Sequence, residues 1–178
     1  MALMPILRYP DPRLREKCAS IGVFDETLRQ LVSDMSDTMY AANGAGLAAI
    51  QVGAALRLFI VDPEVAGKSL NDPVMVFINP ELVWISEEAQ TGDEGCLSFP
   101  GIFVPVKRGM RARVRALDLQ GQPFEIEGEE LFSRALQHES DHLIGRLLID
   151  LVGPVKREII KRKMKKEAAL AASDGDAA

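Results

Sequence analysis

Apolar residues along this chain follow two rhythms, one near 3.6 and one near 2, and the changes between them mark its elements. Leu28, Leu31, Val32, Met35 and Met39 recur at helical spacing. They predict an amphipathic helix from Asp25 to Ala42, ended by Asn43 and Gly44. Short apolar runs at Leu47 to Ile50 and Leu56 to Val61 predict strands, the second broken by Asp62-Pro63. Two more are expected at Val74 to Ile78 and Glu81 to Ile85, on either side of Asn79-Pro80. From Arg111 to Leu119, basic Arg111, Arg113 and Arg115 alternate with Ala112, Val114 and Ala116, which predicts a strand with one wet face. Gln120-Gly121-Gln122 then turns the chain toward a hairpin partner, Phe124 to Glu127. Helical spacing returns over Glu129 to Leu143, with Leu131, Ala135, Leu136 and Leu143 as its apolar side and Gly145 as its stop. A basic helix is expected over Val155 to Leu170. Pro5, Pro10 and Pro12 hold the first segment extended or turn-like. The order of helix, several strands, then helices predicts an α+β fold rather than alternating βαβ units.

With 178 residues, the length suits one domain with a core of its own. That domain is expected over residues 1–170, with Ala171 to Ala178 a disordered tail. The 47% hydrophobic and 26% charged content is ordinary for a globular protein. A formal net charge of -5 gives no overall nucleic-acid signal, and DNA is not an expected partner. The two cysteines, Cys18 and Cys96, suggest no disulfide framework and point to a reducing compartment. Met1 to Pro12 lacks the features of a secretion signal, and no apolar run is long enough to expect a membrane span.

Against this ordinary background His138-Glu139-Ser140-Asp141-His142 stands out, because it contains both histidines of the chain. On a helix, H-E-x-x-H places two imidazoles one turn apart on one face, so both reach a single metal ion. The glutamate between them can act as a general base beside a metal-bound water. A hydrolytic site takes three protein ligands and keeps one position for water, so the third ligand here must be Cys, Asp or Glu. Cys96 is the preferred donor, because Gly95 beside it permits close backbone approach. Cys18 reads as a small buried hydrophobe. A thiolate with two imidazoles accepts Zn or Fe(II), and the ligand set does not choose between them.

Gly44-Ala45-Gly46-Leu47-Ala48-Ala49 matches a dinucleotide-binding G-x-G-x-x-A fingerprint. That fingerprint must follow a strand and open a helix, whereas here a helix precedes it. The stretch reads better as bare backbone lining a cleft and leading to Gln51, whose carboxamide is a neutral donor suited to an oxyanion.

Three ordered segments together resemble the peptide deformylase family. They are Gly44-Ala45-Gly46-Leu47-Ala48-Ala49-Ile50-Gln51, Glu94-Gly95-Cys96-Leu97-Ser98 and Gln137-His138-Glu139-Ser140-Asp141-His142-Leu143-Ile144-Gly145, and the likeness spans roughly residues 4 to 152. The resemblance implies small antiparallel or mixed sheets packed around the helix that carries the histidines, and a C-terminal helix. It implies removal of the N-formyl group from the initiator methionine of new bacterial polypeptides, in the cytoplasm, with release of formate. It implies one divalent metal, natively Fe(II) with Zn or Ni as substitutes, held by Cys96, His138 and His142. Glu139 is then the acid/base, and Gln51 with the backbone N–H of Leu97 holds the oxyanion. Arg108 is expected to pair with Glu94 and so fix the cysteine segment. Two features depart from the family: Ser140 replaces a residue that is often bulky and apolar, and Gly101-Ile102-Phe103-Val104 lacks an arginine that some members direct at the peptide.

A formyl-methionyl peptide is expected as an added strand beside Gly44, Ala45 and Gly46 and the Gly95 segment. Leu131 and Ala135 are candidate walls for its methionine. Gln137 and Asp141 are candidates to orient the ligands from behind. Lys156, Arg157, Lys161, Arg162, Lys163, Lys165 and Lys166 crowd the last helix, a candidate contact for ribosomal RNA. The competing reading is a zinc endopeptidase, which takes its third ligand downstream of the helix as His or an acidic residue; no histidine lies there, and Glu158 is a candidate within the basic helix. A non-catalytic metal-binding module is a further alternative.

Overall fold

Strand β2 (Leu58–Val61) explains the architecture, because every one of its residues is buried. Such a strand needs cover on both faces. Leu58 and Ile60 face helix α1 (Glu26–Ala41), where Leu28, Val32, Met35 and Met39 complete one apolar cluster. Phe59 and Val61 face helix α2 (Glu130–Leu143), where Phe132, Leu136 and Leu143 complete another. The Phe59 and Phe77 rings stack within that cluster at 4.8 Å. The computed structural model describes residues 2–176, with side chains through 173.

β2 belongs to a five-stranded antiparallel sheet in the order β1-β2-β3-β6-β7. The other strands are β1 (Gly46–Ala48), β3 (Met75–Ile85), β6 (Arg111–Leu117) and β7 (Pro123–Glu129). Between β3 and β6 the chain builds a separate hairpin, β4 (Ala89–Cys96) with β5 (Phe99–Gly109). The inward residues of β5, Phe99, Ile102, Val104 and Val106, meet Leu7, Leu14 and Leu147 to Ile149. Helix α3 (Pro154–Asp176) closes that cluster with Ile160 and Met164. The expected α+β class and the β6–β7 hairpin are therefore present.

Several boundaries differ from expectation. The strand expected over Leu47 to Ile50 stops at Ala48, and Ala49–Val52 form a 3-10 turn closed by Gly53 at φ 86°. The two strands expected around Asn79-Pro80 are one, β3, with a register shift between Ile78 and Glu81. Asn79 takes a positive φ of 49°, and its side chain bonds both the N–H and the C=O of Ile21. A bulge thus absorbs the proline, which has no N–H for the ladder. The β4–β5 hairpin was not expected, because β4 (AQTGDEGC) carries no apolar alternation of its own. Helix α3 continues through Asp176, past the end expected at Leu170. The run Ala168-Ala169-Leu170-Ala171-Ala172 has high helix propensity. Ala177 and Ala178 lie outside the described residues.

Candidate metal centre

α2 presents His138 and His142 on the face toward β1 and the hairpin, with Nε2 atoms 3.2 Å apart. The helix holds that orientation because Phe132, Leu136 and Leu143 are anchored in the core beneath the sheet. Cys96 ends β4 at a register shift in the hairpin, and such a shift re-aims a side chain. Its Sγ lies 3.5 Å from His142 Nε2. The ligand atoms of Cys96, His138 and His142 all fall within 4.8 Å of one another. Tetrahedral coordination with the usual Zn–N and Zn–S lengths separates ligand atoms by about 3.3–3.7 Å. The pairs at 3.2 and 3.5 Å lie close to that spacing, so the donor set fits one divalent ion.

The orientation of His138 is set from behind. Its Nδ1 donates to Glu94 Oε1 at 2.5 Å, leaving Nε2 for a metal. Arg108 grips Glu94 through Nη2 at 2.6 Å and Nε at 3.1 Å, as the resemblance implied, and reaches Asp141 through Nη1 at 2.7 Å. Burial opposes ionisation of Glu94, but the hydrogen bonds from His138 and Arg108 outweigh it and hold the carboxyl well below its ordinary range. Asp141 thus stands behind the ligands through Arg108. Gln137 instead bonds Gly109 and Ser133, tying α2 to the end of the hairpin. His142 Nδ1 is buried without a hydrogen-bond partner among the described residues.

Glu139 is 4% exposed, and its Oε2 likewise lacks a partner. Burial, partly offset by His138, pushes its carboxyl up to about 7. A carboxyl in that range can accept and return a proton near neutrality. It lies close over β1: a Cβ at Gly46 would stand 3.1 Å from Glu139 Cδ and Oε1. Gly44 leaves room for Leu97, and Gly95 seats the Phe103 ring; a Cβ at either would come within 2.7 Å of those side chains. Gln51 is 1% exposed. Its Oε1 accepts the Ala48 N–H at 3.0 Å, so Nε2 points toward Ser98 Oγ at 3.1 Å and Cys96 Sγ at 3.6 Å.

A cavity of about 540 Å³ gathers Gly44, Ala45, Gly46, Gln51, Gly95, Cys96, Leu97, Leu131, Ala135, His138 and Glu139. His142, beside it, completes the group of three that could hold a metal ion. Leu131, grouped with the core side of α2 by periodicity, is 66% exposed at the cavity rim. Glu158 is not in the ligand group; it sits on α3 with Lys161 at 3.8 Å. Sequence reasoning missed Arg134, which also lines the cavity and bonds Glu94. Its position four residues before His138 was the available signal. It also missed the N-terminal strap, in which the Leu7 and Tyr9 amides bond the carbonyls of Gln51 and Ser98. Backbone bonds of that kind leave no residue-type signature.

The family model described as polypeptide deformylase matches residues 3–158. Peptide deformylase 1 of Ralstonia nicotianae is 46% identical over 166 residues, covering 93% of this chain and 96% of that protein. The peptide deformylase of Azotobacter vinelandii is 46% identical over 167 residues, covering 94% and 97%. The crystal structure of a peptide deformylase from Legionella pneumophila superposes with a TM-score of 0.87 at 44% identity, covering 96% of this chain and 98% of that one.

Proposed function

Because the chain belongs to the peptide deformylase family, hydrolases that remove the N-formyl group from nascent peptides, we propose that Cys96, His138 and His142 hold its catalytic metal and that Glu139 is its acid/base. The observation that carries this reading is the convergence of one sulfur and two imidazole nitrogens beside a buried carboxylate oxygen that has no hydrogen-bond partner among the described residues. A bound divalent cation supplies Lewis acidity, polarising an amide carbonyl and making water acidic enough to attack near neutral pH. Glu139 accepts the proton of the attacking water and returns it to the departing amine. Gln51, oriented by Ala48, offers Nε2 to the formyl oxygen as negative charge grows there, and the Leu97 N–H is the second donor. The products are formate and a free amino terminus.

Among the described residues β1 pairs only with β2 and β4 only with β5, so each keeps an edge without a strand partner there at the cavity. This supports a formyl-methionyl peptide lying there as an added strand, with Gly44, Ala45, Gly46 and Gly95 giving it clearance. Leu131 and Ala135 line the apolar space for the methionine side chain. Fe(II) is the native ion in this reading, with Zn or Ni able to substitute in the same donor set. The protein acts in the bacterial cytoplasm. Both cysteines are free, and no helix among the described residues is long and apolar enough to cross a membrane.

The ribosome is the proposed partner of α3. Lys156, Arg162, Lys163, Lys165 and Lys166 are exposed on it, whereas Arg157 is tied to the Ile149 and Val152 carbonyls.

The central test measures formate release from a formyl-Met peptide by protein prepared anaerobically with iron and then with zinc, alongside the metal content of Cys96→Ala. The expected result is turnover by the wild type and loss of metal in the variant. A variant that keeps a full metal equivalent would overturn the ligand assignment and favour the endopeptidase pattern.

A further inference from the structure

Glu94 is the buried hub behind the metal centre, and two arginines hold it. Its Oε1 takes Arg108 Nη2 and His138 Nδ1, while its Oε2 takes Arg108 Nε at 3.1 Å and Arg134 Nη1 at 2.8 Å. Arg108 is divided, because its remaining Nη1 serves Asp141. One guanidinium therefore faces two carboxylates; the half-exposed Arg146 adds positive charge 3.9 Å from Asp141, and the buried Arg134 adds it at Glu94. A buried carboxylate with too few donors does not keep its place, because each lone pair left bare in a low-dielectric site is costly.

The geometry of Arg134 suits it to this task. It is 8% exposed and lies one helical turn before His138. Its Nη1 also donates to the Val106 carbonyl at 3.0 Å. One nitrogen thus bonds Glu94 of β4 and Val106 of β5, so the guanidinium ties both hairpin strands to the helix that carries the histidines. Cys96 rides on that hairpin, and His138 and His142 ride on that helix. Any slack between the two elements becomes slack between the sulfur and the imidazoles.

Resting on the reading that Cys96, His138 and His142 bind the metal, we propose that Arg134 is a positioning residue for that centre. It holds Glu94 Oε2 so that Oε1 stays on His138 Nδ1, and it keeps the hairpin sulfur in register with the helix nitrogens. It touches neither the metal nor the scissile bond in this role.

The test compares wild-type protein, Arg134→Met and Arg134→Lys, each loaded with Co(II). Thiolate-to-cobalt absorption reports the centre, excess chelator gives the release rate, and kcat and KM are measured on a formyl-Met peptide. Methionine retains the apolar stem that walls the cavity but has no donor. Lysine keeps a charge that reaches Glu94 or Val106 without the planar fork. Arg134→Met should release Co(II) about 10–100-fold faster, with an altered absorption band and a KM within about twofold of wild type. Arg134→Lys should fall between the two. Release from Arg134→Met within about twofold of wild type overturns the proposal, whatever happens to thermal stability. A large rise in KM with unchanged release would make Arg134 a cavity wall only. Should Arg134→Met fail to fold, Arg134→Lys decides by the same criterion. Wild-type protein must first take up one Co(II) with a thiolate band that Cys96→Ser lacks. If it does not, the ligand assignment itself fails and this inference with it, an outcome distinct from slow release in the variants.

Discussion

Replacing Glu139 by Gln should make the metal-free protein more stable while removing its activity. The carboxyl is buried over Gly46, one of its oxygens has no hydrogen-bond partner among the described residues, and burial moves it from an ordinary 4.5 to about 7. Folding therefore favours the protonated acid. Below about pH 4.5 both folded and unfolded chains carry the proton, and there is no penalty. Between 4.5 and about 7 the unfolded chain has lost the proton and the folded chain still holds it, so stability falls as pH rises. Each pH unit of that window is worth about 1.4 kcal/mol, so the full penalty above pH 7 is about 3 kcal/mol. Glutamine has nearly the same shape and no charge to desolvate. For a chain of this length the gain corresponds to a rise in Tm of about 6–12 °C. The assay is denaturant and thermal unfolding of metal-free wild type and Glu139→Gln from pH 4.5 to 8.5. The gap should open through the window and level off above it. Metal added back to the wild type should narrow it, because a nearby cation favours the ionised carboxylate. Formate release by the metal-loaded variant should fall by about 10²–10⁴-fold. A stability gap that does not change with pH would refute the reasoning that an uncompensated buried charge resides at Glu139.

Glu94→Ala should cost about 3–5 kcal/mol in chemical denaturation, since it strands two buried guanidiniums; a loss under 1 kcal/mol would show that the cluster relaxes around the gap. Gly46→Ala places a methyl 3.1 Å from the Glu139 carboxylate and should lower kcat with metal content unchanged; wild-type kcat would mean that the side chain moves aside freely. Reversing Arg162, Lys165 and Lys166 to Glu should abolish low-salt co-sedimentation with ribosomes. Charge reversal is the better probe than truncation, because Ile160 and Met164 of the same helix are part of the core. Unchanged co-sedimentation would dispose of the proposed contact.

Sequence alone determined the elements whose periodicity reports their own burial. α1 and α2 follow from 3.6-residue spacing, and the β6–β7 hairpin from alternation around Gln120-Gly121-Gln122. The candidate ligands were legible because only two histidines exist and their spacing forces them onto one helical face. Gln51 and the glycines were legible because a stretch of bare backbone ending in a carboxamide is chemically distinctive.

Other features belonged to the tertiary structure. β4 is a strand because β5 pairs with it, not because of its own composition, and β5 is held by the N-terminal segment and α3. Leu131 matches the helical apolar period, yet it is exposed at the cavity rim rather than packed in the core. Arg134 sits among apolar neighbours in the sequence and finds its partners 40 and 28 residues away, on two strands of a hairpin. Periodicity reports which face of an element is buried, but the partner that a buried charge meets is set by long-range packing, where sequence separation carries no information.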